Sequence, residues 1–256
     1  MNNKIFYEQP LNERVRTFLR LEHLFNIVNY HITTYSEWDN RMVINGLLNI
    51  LDLLSRSDIK TELIKELERH SNTLNALKSN PNVDMGRLDN ILGNINKFLE
   101  TLRDNTCQPG QLIRNDELIN AIKQRSTIPG GSCNFDLPGY HFWLNLDDDQ
   151  RTKDLKYWRD DLLIIQNSLQ LTLHMLRNSS TPVMERAPSG FYQKPIDSNV
   201  SCQLIRVGLP KGTQFYPEIS GGKHRFTIRF MKQNSTEQRP AQTQETIEFE
   251  LHSCIL

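Results

Sequence analysis

Apolar residues recur at spacings of three and four along the first two-thirds of the chain. Phe18, Leu21, Phe25, Val28 and Ile32 form one stripe, which predicts a long amphipathic helix opened by Pro10 and Asn12. A second run carries Val43, Leu47, Ile50, Leu51 and Leu54 and stops near Ser55-Arg56-Ser57-Asp58. Ser57 is then the expected cap of a third helix, with Leu63, Leu67, His70, Leu74 and Leu77 on one face, ending before Asn80-Pro81. A fourth helix is predicted through Leu88, Ile91, Ile95, Phe98 and Leu102, and a shorter one through Leu118, Ile119 and Ile122, closed by Pro129-Gly130-Gly131. A late helix spans about Asp148 to Arg177. Short connections make this an antiparallel helical assembly.

The period changes to two after Asn178-Ser179-Ser180-Thr181-Pro182. Cys202 to Val207, Arg225 to Phe230 and Thr246 to Leu251 read as strands with one buried and one wet face. Ile5-Phe6-Tyr7-Glu8 reads as one more strand, which needs a sheet to join and is expected to pair into the C-terminal one. The fold class is therefore α+β. The expected organisation is a helical domain over 10–180 and a smaller antiparallel β-domain over 181–256, with the N-terminal strand 1–9 added to it. Gln233 to Gln244 is polar and reads as a structureless hairpin loop.

Composition narrows the function. Thirty Lys and Arg balance thirty Asp and Glu over 256 residues, which disfavours a strongly basic nucleic-acid binder and an acidic tail. No apolar run approaches the roughly 18 residues that cross a bilayer, and the start lacks the apolar core of a signal peptide, so a cytoplasmic protein with no membrane partner is expected. Cys107, Cys133, Cys202 and Cys254 are far apart and read as reduced structural thiols.

Catalytic and metal chemistry find little footing. Cys133 lies eight residues before His141, the nearest approach to a nucleophile with a base, but a small thiol after a glycine turn is the plainer reading. Gly130-Gly131 lacks the Lys-Ser/Thr of a P-loop and the third glycine of a dinucleotide fingerprint. The seven histidines are scattered singly, and Asp147-Asp148-Asp149 lacks the glycine and final glutamate of a calcium loop, fitting instead the first turn of the next helix. No enzyme, metal or cofactor is expected. Cationic side chains on apolar frameworks stand out instead. Arg16, Arg20 and His23 share a helix face, and Lys223, Arg225, Arg229 and Lys232 lie in Ile219 to Lys232, a stretch without an acid. Arg225 and Arg229, four apart in one strand, project from the same side of the sheet. Such a cluster suits an acidic or carboxylate-bearing partner. The alternative is a nucleic-acid-binding module that uses the same arginines with Phe226, Phe230 or Tyr216 as stacking platforms.

Several blocks occur in an order that resembles the bacterial Z-ring-associated protein D (ZapD) family of cell-division proteins. They are Phe6 to Glu13, Arg16 to Glu22, Thr61 to Leu67, Ser126 to Pro138, Gly190 to Gln193, Tyr216 to Gly221 and Arg225 to Met231. The resemblance implies a cytoplasmic, mid-cell protein that forms a homodimer, binds the C-terminal tail of the tubulin-like filament protein FtsZ and bundles its filaments. Matching the family's basic positions one by one gives Arg20, Arg56, Arg114, His141, Arg225 and Arg229 as tail-binding residues, and Lys223 joins them from the acid-free stretch. Three residues beyond Arg114 the family commonly has a second arginine, where this chain has Glu117.

Overall fold

The computed structural model describes residues 4–81, 83–196, 201–222, 224–233 and 235–255. The chain divides into two compact units, one of Met1–Arg16 with Leu173–Leu256 and the other of Thr17–Thr172. The helical unit thus interrupts the β-unit in sequence.

Helix α1 (Glu13–His31) starts where the Asn12 carboxamide oxygen accepts from the Val15 amide at 2.9 Å, and buries the predicted stripe of Phe18, Leu21, Phe25 and Val28. Helix α2 (Glu37–Arg56) is capped by Ser36 and approaches α1 closely at Gly46, where a Cβ would stand 2.6 Å from Cγ2 of Val28. Helix α3 (Ile59–Ala76) is capped by Asp58 rather than by Ser57, which is the residue that ends α2. The carboxylate reaches the Thr61 amide at 3.2 Å and brings a negative charge to the helix N-terminus. Helix α4 (Met85–Arg103) returns alongside α3, with Leu88, Leu92, Ile95, Leu99 and Leu102 buried, so Ile91 and Phe98 flank the stripe.

Two short helices lie outside the sequence expectation, α5 (Gln111–Arg114) and α7 (Pro138–Leu144), with α6 (Glu117–Arg125) between them. The late helix is also two: α8 (Asp148–Asp160) and α9 (Leu163–Arg177). At the break the Asp161 carboxylate accepts from the Leu112 and Ile113 amides at 2.9 and 3.4 Å, serving the start of α5. No proline or glycine marks this break, and the contact made there joins residues 49 positions apart. Trp143 and Trp158 pack 5.6 Å apart, and their indole N–H groups donate to Asp154 and Asp116 at 2.9 and 3.0 Å.

The β-unit holds two antiparallel sheets. The first has strand order β1 (Lys4–Pro10), β4 (Cys202–Pro210), β8 (Ile247–Ile255), β2 (Val183–Ala187). The second has β3 (Phe191–Pro195), β6 (Arg225–Lys232) and β5 (Phe215–Gly221), with the two-residue β7 (Ala241–Gln242) on β6 inside the stretch expected to lack structure. Both sheets contribute to one core, in which Phe230 and Tyr192 lie 5.0 and 5.2 Å from Phe249. The strand β6 alternates as expected, but β4 does not. It is central, and Leu204 as well as Ile205 is fully buried, so neighbouring positions on both faces of the strand are shielded from water.

The N-terminal strand joins this sheet, with Glu8 opposite Arg206. The Glu8 carboxylate accepts from Arg206 at 2.7 Å and from Arg177, at the end of α9, at 2.8 Å. Burial, the largest single influence, raises the Glu8 pKa, but the hydrogen bonds and charges of the two arginines together hold it below its ordinary 4.5. A depressed carboxylate stabilises the fold above its unfolded pKa and loses that contribution as pH falls through the folded value. Glu8→Ala should therefore cost about 3 kcal/mol at pH 7, because both cations lose the carboxylate they share. In urea melts the gap between variant and parent should close as pH falls below about 4.5.

Candidate functional site

In the β-unit, strand β6 turns Phe226, Ile228 and Phe230 into the core and leaves Arg225 and Arg229 exposed on the opposite face. Two-residue periodicity alone accomplishes this. The strand register surrounds the arginines with known neighbours: Arg229 stands between Phe191 of β3 and Glu218 of β5, and Arg225 opposite Pro195. Glu218 is therefore the acid nearest in register, and neither arginine has an ion pair among the described residues. Phe191 is 40% exposed beside them. This face offers two guanidinium groups and an apolar ring to an incoming carboxylate-bearing chain. Lys223 lies outside the described residues.

The nucleic-acid alternative loses two of its three stacking platforms here. Phe226 and Phe230 are 2% and 0% exposed and belong to the core.

In the helical unit the other candidates differ in how firmly they are held. Arg20 is exposed on α1 with no ion pair among the described residues, whereas Arg16 of the same predicted face pairs with Glu13. Arg56 ends α2, 77% exposed, with Asp52 at 3.9 Å. Arg114 is half-buried, donates to the Pro109 carbonyl at 3.2 Å and lines a small cleft with Ser57, Asp58 and Lys60. His141 is exposed on α7, where its carbonyl accepts from the Asn145 side chain at 2.8 Å. Glu117 occupies the first turn of α6, just after the Asp116 cap, where the helix macrodipole favours a negative charge by about 0.3–1 kcal/mol. That gives a local reason for an acid at this position.

The Cys133 thiol donates to Asp136 at 3.3 Å, and no imidazole is bonded to it among the described residues. All four cysteines are free. No helix among the described residues is long and apolar enough to cross a membrane.

A sequence model described as ZapD, cell division protein, matches residues 19–229. The chain belongs to the ZapD family of cell-division proteins. Proteins named cell division protein ZapD are similar to it over nearly the whole of both chains. That of Methylococcus capsulatus is 41% identical over 256 residues, covering all of each chain. That of an Azoarcus species is 37% identical over 98% of this chain and all of its own, and that of an Enterobacter species 37% identical over 99% and all. A role in cell division follows for this ZapD-family chain.

The exposed and the held cations should separate on substitution. Arg225→Glu and Arg229→Glu should each change stability by no more than about 0.5 kcal/mol. Arg114→Ala should cost about 1 kcal/mol through its bond to Pro109. Denaturant melts of the three variants measure both.

Proposed function

We propose that this ZapD-family protein binds the C-terminal tail of FtsZ and, as a homodimer, crosslinks and bundles FtsZ filaments, acting in the cytoplasm at the mid-cell ring. The observation that carries the reading is the placement of Arg225 and Arg229 on one exposed sheet face of a cell-division family member. Neither arginine is engaged in holding the core, so both are available to an acidic chain. Lys223, from the same segment, and Arg20, Arg56, Arg114 and His141 of the helical unit are the further proposed contacts, of which Arg20, Arg56 and His141 are exposed.

The physics of the role is bivalency. A symmetric dimer presents two equivalent sites, each able to take a tail from a different filament, so weak single contacts add through effective concentration. Guanidinium recognition of a carboxylate-bearing tail is screened over a Debye length of about 8 Å at physiological salt, so bundling should weaken as salt rises.

Co-sedimentation with FtsZ filaments tests this. Pelleting should require the FtsZ tail and fall with salt. Arg20→Glu, Arg225→Glu and Arg229→Glu together should abolish it while sedimentation equilibrium still reports the dimer. Undiminished pelleting by a folded triple variant would sink the assignment.

A further inference from the structure

The first half of α2 and the loop after α6 enclose a cleft of about 580 Å3, within the range of roughly 300–1,000 Å3 that ligand clefts occupy. None of the six described basic residues proposed above lines it. Its exposed large apolar side chains are Trp38 and Met42, one helical turn apart, and Ile128 across the opening. These are 73%, 41% and 46% exposed. Scattered exposed apolar side chains mean little, but a tryptophan, a methionine and an isoleucine around one cleft beside two arginines have the composition of an interface anchor.

Among the described residues no carboxylate lines the cleft, whereas Arg41 and Arg125 do. The two cations play different parts. Arg41 is fixed: its guanidinium lies 4.9 Å from the Tyr140 ring and 5.4 Å from that of Trp38, and donates to Glu37 at 2.8 Å and to the Ser132 carbonyl at 3.1 Å. Its charge is answered by Glu37, and it ties α2 to the far wall. Arg125 is half-exposed and has, among the described residues, only Asp136 at 3.9 Å, which leaves its charge largely unanswered.

The far wall is preformed. Amide-to-carbonyl bonds run from Ile128 to Arg125, from Gly131 to Ile128 and from Cys133 to Gly130, at 2.9–3.0 Å. Gly130 takes φ +73°, and at Gly131 a Cβ would stand 2.5 Å from the Arg125 carbonyl oxygen. A wall locked in this way adds little ordering cost when something docks against it.

We propose that this cleft is a docking site for an acidic peptide segment with a bulky apolar side chain. The apolar group rests against Trp38, Met42 and Ile128, and a carboxylate pairs with Arg125. The absence of any acid in the lining, together with the one loosely paired cation at its edge, selects a negatively charged partner. The lining shares none of the described residues proposed for FtsZ binding, and the proposal stands or falls without them.

Trp38 makes the test direct, because Trp143 and Trp158 are 6% and 3% exposed and the third indole is the one that solvent reaches. A displayed random heptapeptide library is selected on the immobilised full-length chain, and the enriched peptides are then synthesised. They should carry at least one acid and one large apolar residue, shift the tryptophan emission to the blue, and bind by anisotropy of the labelled peptide. Trp38→Ala and Arg125→Glu, both at exposed positions and checked for folding by circular dichroism, should each weaken that anisotropy signal at least tenfold. The Arg20, Arg225 and Arg229 reversals should leave it unchanged, which separates this site from the FtsZ reading. Selected peptides that bind both cleft variants as tightly as the parent would overturn the proposal, as would a library yielding no peptide enriched over the doubly substituted chain. A fall in oligomeric mass with Trp38→Ala in sedimentation equilibrium would also overturn it, by giving the cleft to a second copy of the chain.

Discussion

The fold turns on one carboxylate shared between two guanidinium groups. Glu8 joins Arg206, 198 positions later, to Arg177 at the end of the last helix. Strand pairing alone would not fix where β1 lies, since a slip of one residue exchanges the two faces of a strand. Glu8 opposes Arg206 in register, Phe6 stacks its ring 4.6 Å from that guanidinium, and Gly208 opposite Phe6 has no room for a Cβ. Together these admit one alignment. Desolvating charges is costly, so such a group contributes less to net stability than to choosing among alternatives. Here the choice places the first strand in a sheet otherwise built from the end of the chain, and the helical unit becomes an insertion between the two parts.

The same economy governs β6. One strand supplies Phe226, Ile228 and Phe230 to the core and Arg225 and Arg229 to the opposite face. Surface charge of this kind is nearly free of stability cost, so the arginines can be placed for recognition while the phenylalanines hold the sheet. The helical unit divides its labour similarly. Cations that brace backbone, such as Arg151 donating to the Leu144 and Tyr35 carbonyls at 2.7 and 3.1 Å, are buried or half-buried. Arg20 and Arg56 stay in water.

The patterned elements were legible residue by residue. A helix buries what its own period brings to one side, so the stripe from Phe18 to Ile32 and the alternation of Arg225 to Phe230 announced both the elements and their buried faces. The pairing of Ile5 to Glu8 into a C-terminal sheet followed from an orphan strand needing a partner, and the exposure of Arg225 and Arg229 from parity alone.

Other features depended on contacts between distant residues. Nothing near Asp161 marks a helix break, because the amides of Leu112 and Ile113 that its carboxylate serves come from another part of the chain. The burial of β4 on both faces depends on its central place in a sheet, and the separation of the strands into two sheets depends on which edges meet. Phe226 and Phe230 were conceivable as stacking platforms until a second sheet covered them. The cleft at Trp38 is likewise tertiary: a tryptophan at the start of α2 and a glycine-rich turn some 90 residues later acquire a shared chemistry only once Arg41 reaches across to Ser132, 91 positions away. Sequence determined the strongly periodic elements, the buried stripes of α1 and β6 and the family, because these rest on local periodicity and on the order of motifs. Tertiary structure alone decided which cations are free and which are bound, because that depends on what distant segments bring to them.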